Sequence, residues 1–146
     1  MTIEDRFKKG IQFRNDGKLT LAKDTFAKII NDYPRYQKLS VVYTVLGGVY
    51  KDLGLVNDAK FCFRNATELN PKSELASLGL YLTLVKSEEY EQAIEELKRY
   101  LDDYPAKNYK ITLTELLNDL EVGYAGDFKE VILMLAQKND VRLPLN

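Results

Sequence analysis

The chain has 146 residues, with 21 Lys+Arg against 22 Asp+Glu and 45% apolar residues, the proportions of one soluble globular domain. It holds no histidine and one cysteine, Cys62, which excludes His-based nucleophiles, imidazole metal sites, an internal disulfide and a thiolate zinc cluster. A formal charge of −1 lacks the basic excess of a nucleic-acid binder. In chain order, apolar residues at helical spacing predict helices over 3–16, 19–32, 37–53, 56–69, 73–87, 90–103, 108–123 and 127–139, with no strand signal. The N-terminus, Met1 to Lys9, carries acidic residues and no apolar run, unlike a signal peptide. The most apolar stretch, Leu75 to Val85, is interrupted by Ser77, Gly79 and Thr83 and is too short to cross a bilayer. A soluble cytoplasmic protein without membrane association is the expectation. Charge is uneven: residues 1–72 hold thirteen Lys+Arg and eight Asp+Glu, net +5, and residues 73–146 hold eight and fourteen, net −6. Solvated helix faces account for such a pattern. A basic end and an acidic end would also steer a polarised partner or favour head-to-tail self-association.

Three segments of the chain align with one another. The first runs through Gly10, Phe13, Gly17, Ala22, Phe26, Ile29 and Pro34, and the second through Gly47, Tyr50, Gly54, Ala59, Phe63, Ala66 and Pro71. The third runs through Tyr81, Leu84, Glu88, Ala93, Leu97, Tyr100 and Pro105. Pro34 to Pro71 is 37 residues and Pro71 to Pro105 is 34, so three residues are inserted between the first two units, around Arg35 to Lys38. Each unit carries two apolar stripes at helical spacing. In the second unit Tyr43, Leu46 and Tyr50 share one helix face, and Ala59, Phe63 and Ala66 lie on the next helix. Gly47 and Ala59 are small enough for the helices to approach closely. Gly54 suits a helix end that needs a left-handed residue, and the three prolines punctuate the units. One helix pair cannot bury its own apolar face, so neighbours must stack.

This pattern resembles the tetratricopeptide repeat, a helix–turn–helix unit of about 34 residues. The second unit, with Tyr43, Leu46, Gly47, Tyr50, Gly54, Ala59, Phe63, Ala66 and Pro71, fills nearly every signature place. The first has Arg6 and Lys9 where an apolar pair is usual. The third has Tyr81 where a small residue is usual and Glu88 where the inter-helix glycine is usual. The resemblance implies an all-α, right-handed α-α superhelix of stacked repeats. The chain is expected to form a single domain over 1–146, with repeats near 3–36, 40–73 and 74–107 and a degenerate helix pair near 108–140. In that pair Gly126-Asp127-Phe128 is read as repeating the turn at Gly17-Lys18-Leu19. It is expected to cap the stack; the alternative is that its first helix folds back into the groove.

The resemblance implies that peptides or helices bind on the concave surface, lined by the first helix of each pair. The repeat register places Phe7, Ile11, Arg14 and Asn15 there from the first unit. The second supplies Val41, Thr44, Val45, Gly48, Lys51 and Asp52, and the third Leu75, Leu78, Gly79, Leu82, Val85 and Lys86. One branch of the family holds acidic chaperone tails with Lys, Asn and Arg on these helices. The corresponding residues here are Phe7, Ile11, Val45, Leu75 and Gly79, so that partner is rejected: a carboxylate there would lack paired donors. The groove is instead apolar, with Arg14, Lys51 and Lys86 along one margin. An amphipathic helix with leucines at i, i+3, i+4 and i+7 and acidic groups facing the lysines would suit it. The same residues, at helical spacing, also read as core or as contacts to a neighbouring pair.

Other features point away from chemistry. Glu88, Glu89, Glu91, Glu95 and Glu96 read as a solvated helix N-terminus complementing the helix dipole, not a cation site. Gly17-Lys18-Leu19-Thr20 lacks the first glycine and the preceding strand of a phosphate loop. Cys62, between Phe61 and Phe63, reads as a buried, inert thiol. Tyr33-Pro34 and Tyr104-Pro105 read as helix-end packing. No convergent set of titratable residues suggests an enzyme, and no cofactor or metal is expected. The expected function is non-catalytic binding of another protein or peptide in the groove. A free-standing inhibitor or immunity-type protein that occludes an effector, and a structural homo-oligomer, remain as alternatives.

Overall fold

The computed structural model describes residues 1–144. Among these, every regular element is helical: α1 Ile3–Asn15, α2 Leu19–Asp32, α3 Leu39–Asp52, α4 Val56–Leu69, α5 Glu74–Lys86, α6 Tyr90–Asp103, α7 Tyr109–Glu121 and α8 Lys129–Lys138. A 3₁₀ turn, Gly126–Phe128, precedes α8. The helices form four successive antiparallel pairs in an α-α solenoid.

What makes the pairs alike is their turn. The second residue after each odd-numbered helix enters the left-handed region: Gly17 at φ 77°, Gly54 at 78°, Glu88 at 60° and Gly123 at 95°. In each case the next amide donates to a carbonyl five residues back: Lys18 to Phe13 (2.8 Å), Leu55 to Tyr50 (2.9 Å), Glu89 to Leu84 (2.9 Å) and Tyr124 to Asp119 (2.7 Å). This bond satisfies a carbonyl that the helix end leaves free. The fourth turn therefore centres on Gly123, which corrects the expected equivalence of Gly126 with Gly17. After it the chain makes a second left-handed step at Ala125 (φ 58°), and α8 starts two residues later than expected.

Helix starts are set locally at two places. Thr2 and Asp5 form a reciprocal capping box, with Asp5 N donating to Thr2 Oγ1 at 3.0 Å. Ser73 Oγ accepts from Ala76 N at 3.2 Å at the start of α5. The core falls into two clusters that meet at Tyr50. The first, between α1 and α4, centres on Phe26, Ile29, Val42, Leu46, Val49 and Cys62. The second runs from Phe63 through Leu84, Leu97 and Leu113 to Leu135. Burying one such phenyl or leucyl side chain stabilises the fold by about 1.5–3 kcal/mol.

Within the first two pairs, and between the second and the third, the helices approach with an aromatic ring against a glycine. A Cβ on Gly10 would lie 2.6 Å from the Phe26 ring, and one on Gly47 would lie 2.9 Å from the Phe63 ring. Gly79, on α5, lies closer still to the same Phe63 ring. The partner of Gly47 is therefore the Phe63 ring.

The fourth pair is attached differently. Tyr109, fully buried at the start of α7, stacks edge-on against Tyr81 and lies 5.7 Å from the Tyr100 ring centroid. Burial holds the Tyr109 phenol protonated, well above its ordinary value. Its hydroxyl and Ser77 Oγ are 2.7 Å apart, and Ser77 Oγ donates to Glu96 Oε2 at 2.7 Å. Serine has one hydroxyl proton, so Tyr109 is the donor to Ser77. Glu96 in turn takes a two-pronged contact from Arg99, Nε at 2.9 Å and Nη2 at 2.6 Å. Glu96 is only 9% exposed, which corrects its reading as part of a solvated acidic run.

Two long-range contacts complete the attachment. The Glu74 carboxylate accepts the amides of Lys107 (2.7 Å), Asn108 (2.8 Å) and Tyr109 (3.2 Å), capping α7 from the start of α5. Lys138 Nζ donates to the carbonyls of Leu101 (3.0 Å) and Asp102 (2.9 Å) at the end of α6.

Candidate functional site

The groove residues come from α1, α3 and α5, the first helix of each of the first three pairs. Their register follows from the shared turn, because each odd helix ends at the same distance from its left-handed residue. Arg14, Lys51 and Lys86 all fall in the last turns of their helices, where a cation complements the carboxyl end of the helix dipole. Arg14 and Lys51 each lie three residues before the left-handed residue of their turn, whereas Lys86 lies two before Glu88, so Val85 and not Lys86 holds the equivalent place. Arg14 also donates to the Asn15 side chain at 3.2 Å. Lys51 and Lys86 are exposed and form no ion pair among the described residues.

The apolar residues divide into two groups. Val41 (47% exposed), Leu75 (61%) and Leu82 (37%) stand in solvent. Phe7, Ile11, Val45 and Leu78 are half-buried, each with one side against the core. The Phe7 ring lies 5.5 Å from that of Phe26. Each of these four packs part of its surface against the core and leaves part of it exposed. Thr44 and Gly48 are half-buried too, and the Thr44 hydroxyl donates to Ser40 O at 2.8 Å. The α7–α8 pair leaves Val41, Leu75 and Leu82 uncovered.

Sequence reasoning missed one part of this face. A cavity of about 410 Å³ opens between α1 and α3, lined by Glu4, Phe7, Lys8, Tyr36, Lys38 and Val41. Tyr36 and Lys38 come from the segment Arg35 to Lys38 that holds the insertion, and the Tyr36 hydroxyl donates to Glu4 Oε1 at 3.3 Å. The insertion itself was the available signal.

The remaining features carry no chemistry. Cys62 is buried and its thiol is pushed up to about 12, by burial first and then by Asp58, so the thiolate is suppressed. Glu89 is paired with Lys60 at 2.8 Å. Among the described residues no cluster of His, Cys, Asp and Glu is arranged to hold a metal, and no helix is long and apolar enough to cross a membrane. Tyr33 and Tyr104 are the residues that end α2 and α6.

Comparison with known proteins bears on this geometry. Two tetratricopeptide repeat family models match, one over residues 6–36 and one over residues 41–73. These matches cover the first and second helix pairs. A comparison with curated proteins finds no match. Among solved structures, the fold is similar to that of a tetratricopeptide repeat protein from Parabacteroides merdae ATCC 43184, with a TM-score of 0.70 at 17% identity. The alignment covers 94% of this chain and 60% of that one.

Proposed function

Because the chain belongs to the tetratricopeptide repeat family, whose repeats generally mediate protein–protein interactions, we propose that it is a non-catalytic module holding a segment of another protein in its concave groove. The reading is supported above all by Val41, Leu75 and Leu82, three large apolar side chains left in solvent on the inner helices beside half-buried Phe7, Ile11, Val45 and Leu78. Apolar surface grouped in this way favours a partner. Unpaired Lys51 and Lys86 at its margin favour an amphipathic helix with acidic flanks over an acidic tail. In this reading the four pairs act as one unit, with α7 and α8 as the end cap, and the protein works without cofactor in the cytoplasm.

The test is affinity capture from native lysate with wild-type protein and with Leu75→Glu/Leu82→Glu. Both positions are exposed, so circular dichroism should stay unchanged while the captured protein is lost. Capture that survives the double substitution would place the binding surface elsewhere. The opposite net charges of the two halves favour a second reading, head-to-tail self-association. Light scattering separates the two, because only self-association raises the mass with concentration.

A further inference from the structure

A second cavity, of about 640 Å³, lies where α5 and α6 face α7 and the 122–128 loop, and Val85 alone of the expected groove residues lines it. Four aromatic residues line it, Tyr81, Tyr90, Tyr124 and Phe128, together with Asp119 and Asp127. It exists because Tyr81 occupies a place where the other units have glycine. The ring packs edge-on against Tyr109 of α7, and the 122–128 loop, with its second left-handed step at Ala125, forms the far wall.

Three observations concern what such a cavity would accept. Tyr81 is 6% exposed, and its hydroxyl makes no hydrogen bond among the described residues but is open to solvent. Asp119 and Asp127 are exposed at the cavity and form no ion pair among the described residues. Their side of the molecule is negative: burial first, then the charges of Asp119 and Glu115, push the Tyr81 phenol up to about 12. Aromatic faces and free carboxylates attract a cation with little hydration to lose, and they repel anions. Val85, Ile94 and Leu116 complete the wall and would take an apolar stem.

We propose that this cavity binds an organic cation, an ammonium or guanidinium group on an apolar stem. The site is independent of the concave groove and of what that groove holds. The cation would come either from a basic side chain of a peptide or from a small free amine.

Two-dimensional NMR of the whole protein tests this, following the amides of Gly123 to Phe128. The probes are choline, Nα-acetyl-lysine methylamide and 3,3-dimethylbutan-1-ol, the neutral isostere of choline. At least one cation should shift these amides saturably, with the isostere about tenfold weaker. Asp119→Asn/Asp127→Asn and Tyr124→Ala, all at exposed positions, should each weaken the cation several-fold while the rest of the spectrum is unchanged. Tighter binding of the lysine amide assigns the cation to a peptide side chain, and tighter binding of choline to a free amine. Equal binding of the neutral isostere, or no saturable shift with either cation, would overturn the proposal.

Discussion

From α1 to α5 helices meet where an aromatic ring lies against glycine: Phe26 on Gly10 and Phe63 on Gly47 within their pairs, and Phe63 on Gly79 across to the next pair. From α5 to α8 they meet through tyrosines and a buried polar chain, Tyr109 to Ser77 to Glu96 to Arg99, with Glu74 capping α7. The first kind of joint is non-directional and gains from closeness, so it has no spare volume. The second is directional. It tolerates separation, and leaves a cavity, so long as each donor keeps its acceptor. The same period of residues can therefore be stacked by two physical devices, which should fail in different ways.

The largest effect is expected where the ring is removed. Phe63→Ala should lower stability by about 4 kcal/mol, the cost of losing a fully packed phenyl ring and leaving a cavity. Gly79→Ala alone should also destabilise, because the methyl group would push into a ring already in close contact with Gly47. In the Phe63→Ala background the sign should reverse: with the ring gone, Gly79→Ala keeps only its helix-propensity gain of about 1 kcal/mol. Urea denaturation of the four proteins checks the cycle. A Gly79→Ala change that destabilises equally in both backgrounds would show that the ring is not what the glycine accommodates.

A smaller and more local effect is expected at the C-terminal joint. Glu74→Ala frees the amides of Lys107, Asn108 and Tyr109, and Asn108 makes no side-chain cap of its own at the start of α7. The loss should be about 2 kcal/mol, as for a charged acceptor of backbone donors. Hydrogen exchange should speed up in α7 and α8 and stay unchanged in α1 to α4. Uniform acceleration along the chain would mean that the two joints are not separate.

That contrast also marks what the sequence could reveal. The helices were legible because Gly17, Gly54, Ala22, Ala59, Phe26 and Phe63 recur at fixed offsets and each does its work within one pair. The shared place of Arg14 and Lys51 was legible for the same reason, as a position counted from a helix end, and Lys86, one residue further on, falls outside it. The burial of Glu96 was not, because its partner Ser77 is 19 residues away and nothing local distinguishes it from Glu95. Nor was the role of Glu74, whose amides lie 33 to 35 residues downstream. Gly123 and Gly126 were indistinguishable as turn residues until the backbone placed one of them at positive φ. The small exposed fractions of Phe7, Ile11, Val45 and Leu78 depend on how closely neighbouring pairs approach, which no single helix pattern records.

The smallest effect concerns the one turn in the series without glycine. Glu88 is exposed, makes no side-chain hydrogen bond or ion pair among the described residues, and sits at φ 60° where its three counterparts are glycines. An L side chain in that region is disfavoured by about 1–2 kcal/mol, and a glycine loses about 0.5–1 kcal/mol more backbone entropy on folding. The difference predicts that Glu88→Gly stabilises the protein by roughly 0.5–1 kcal/mol, read as a rise in melting temperature. Gly54→Ala, at the equivalent turn with open space around the missing Cβ, should move the midpoint in the opposite direction for the same reason. A fall on Glu88→Gly would mean that the left-handed turn is held by something other than its own backbone preference, and the likeness of the four turns would no longer explain why the pairs repeat.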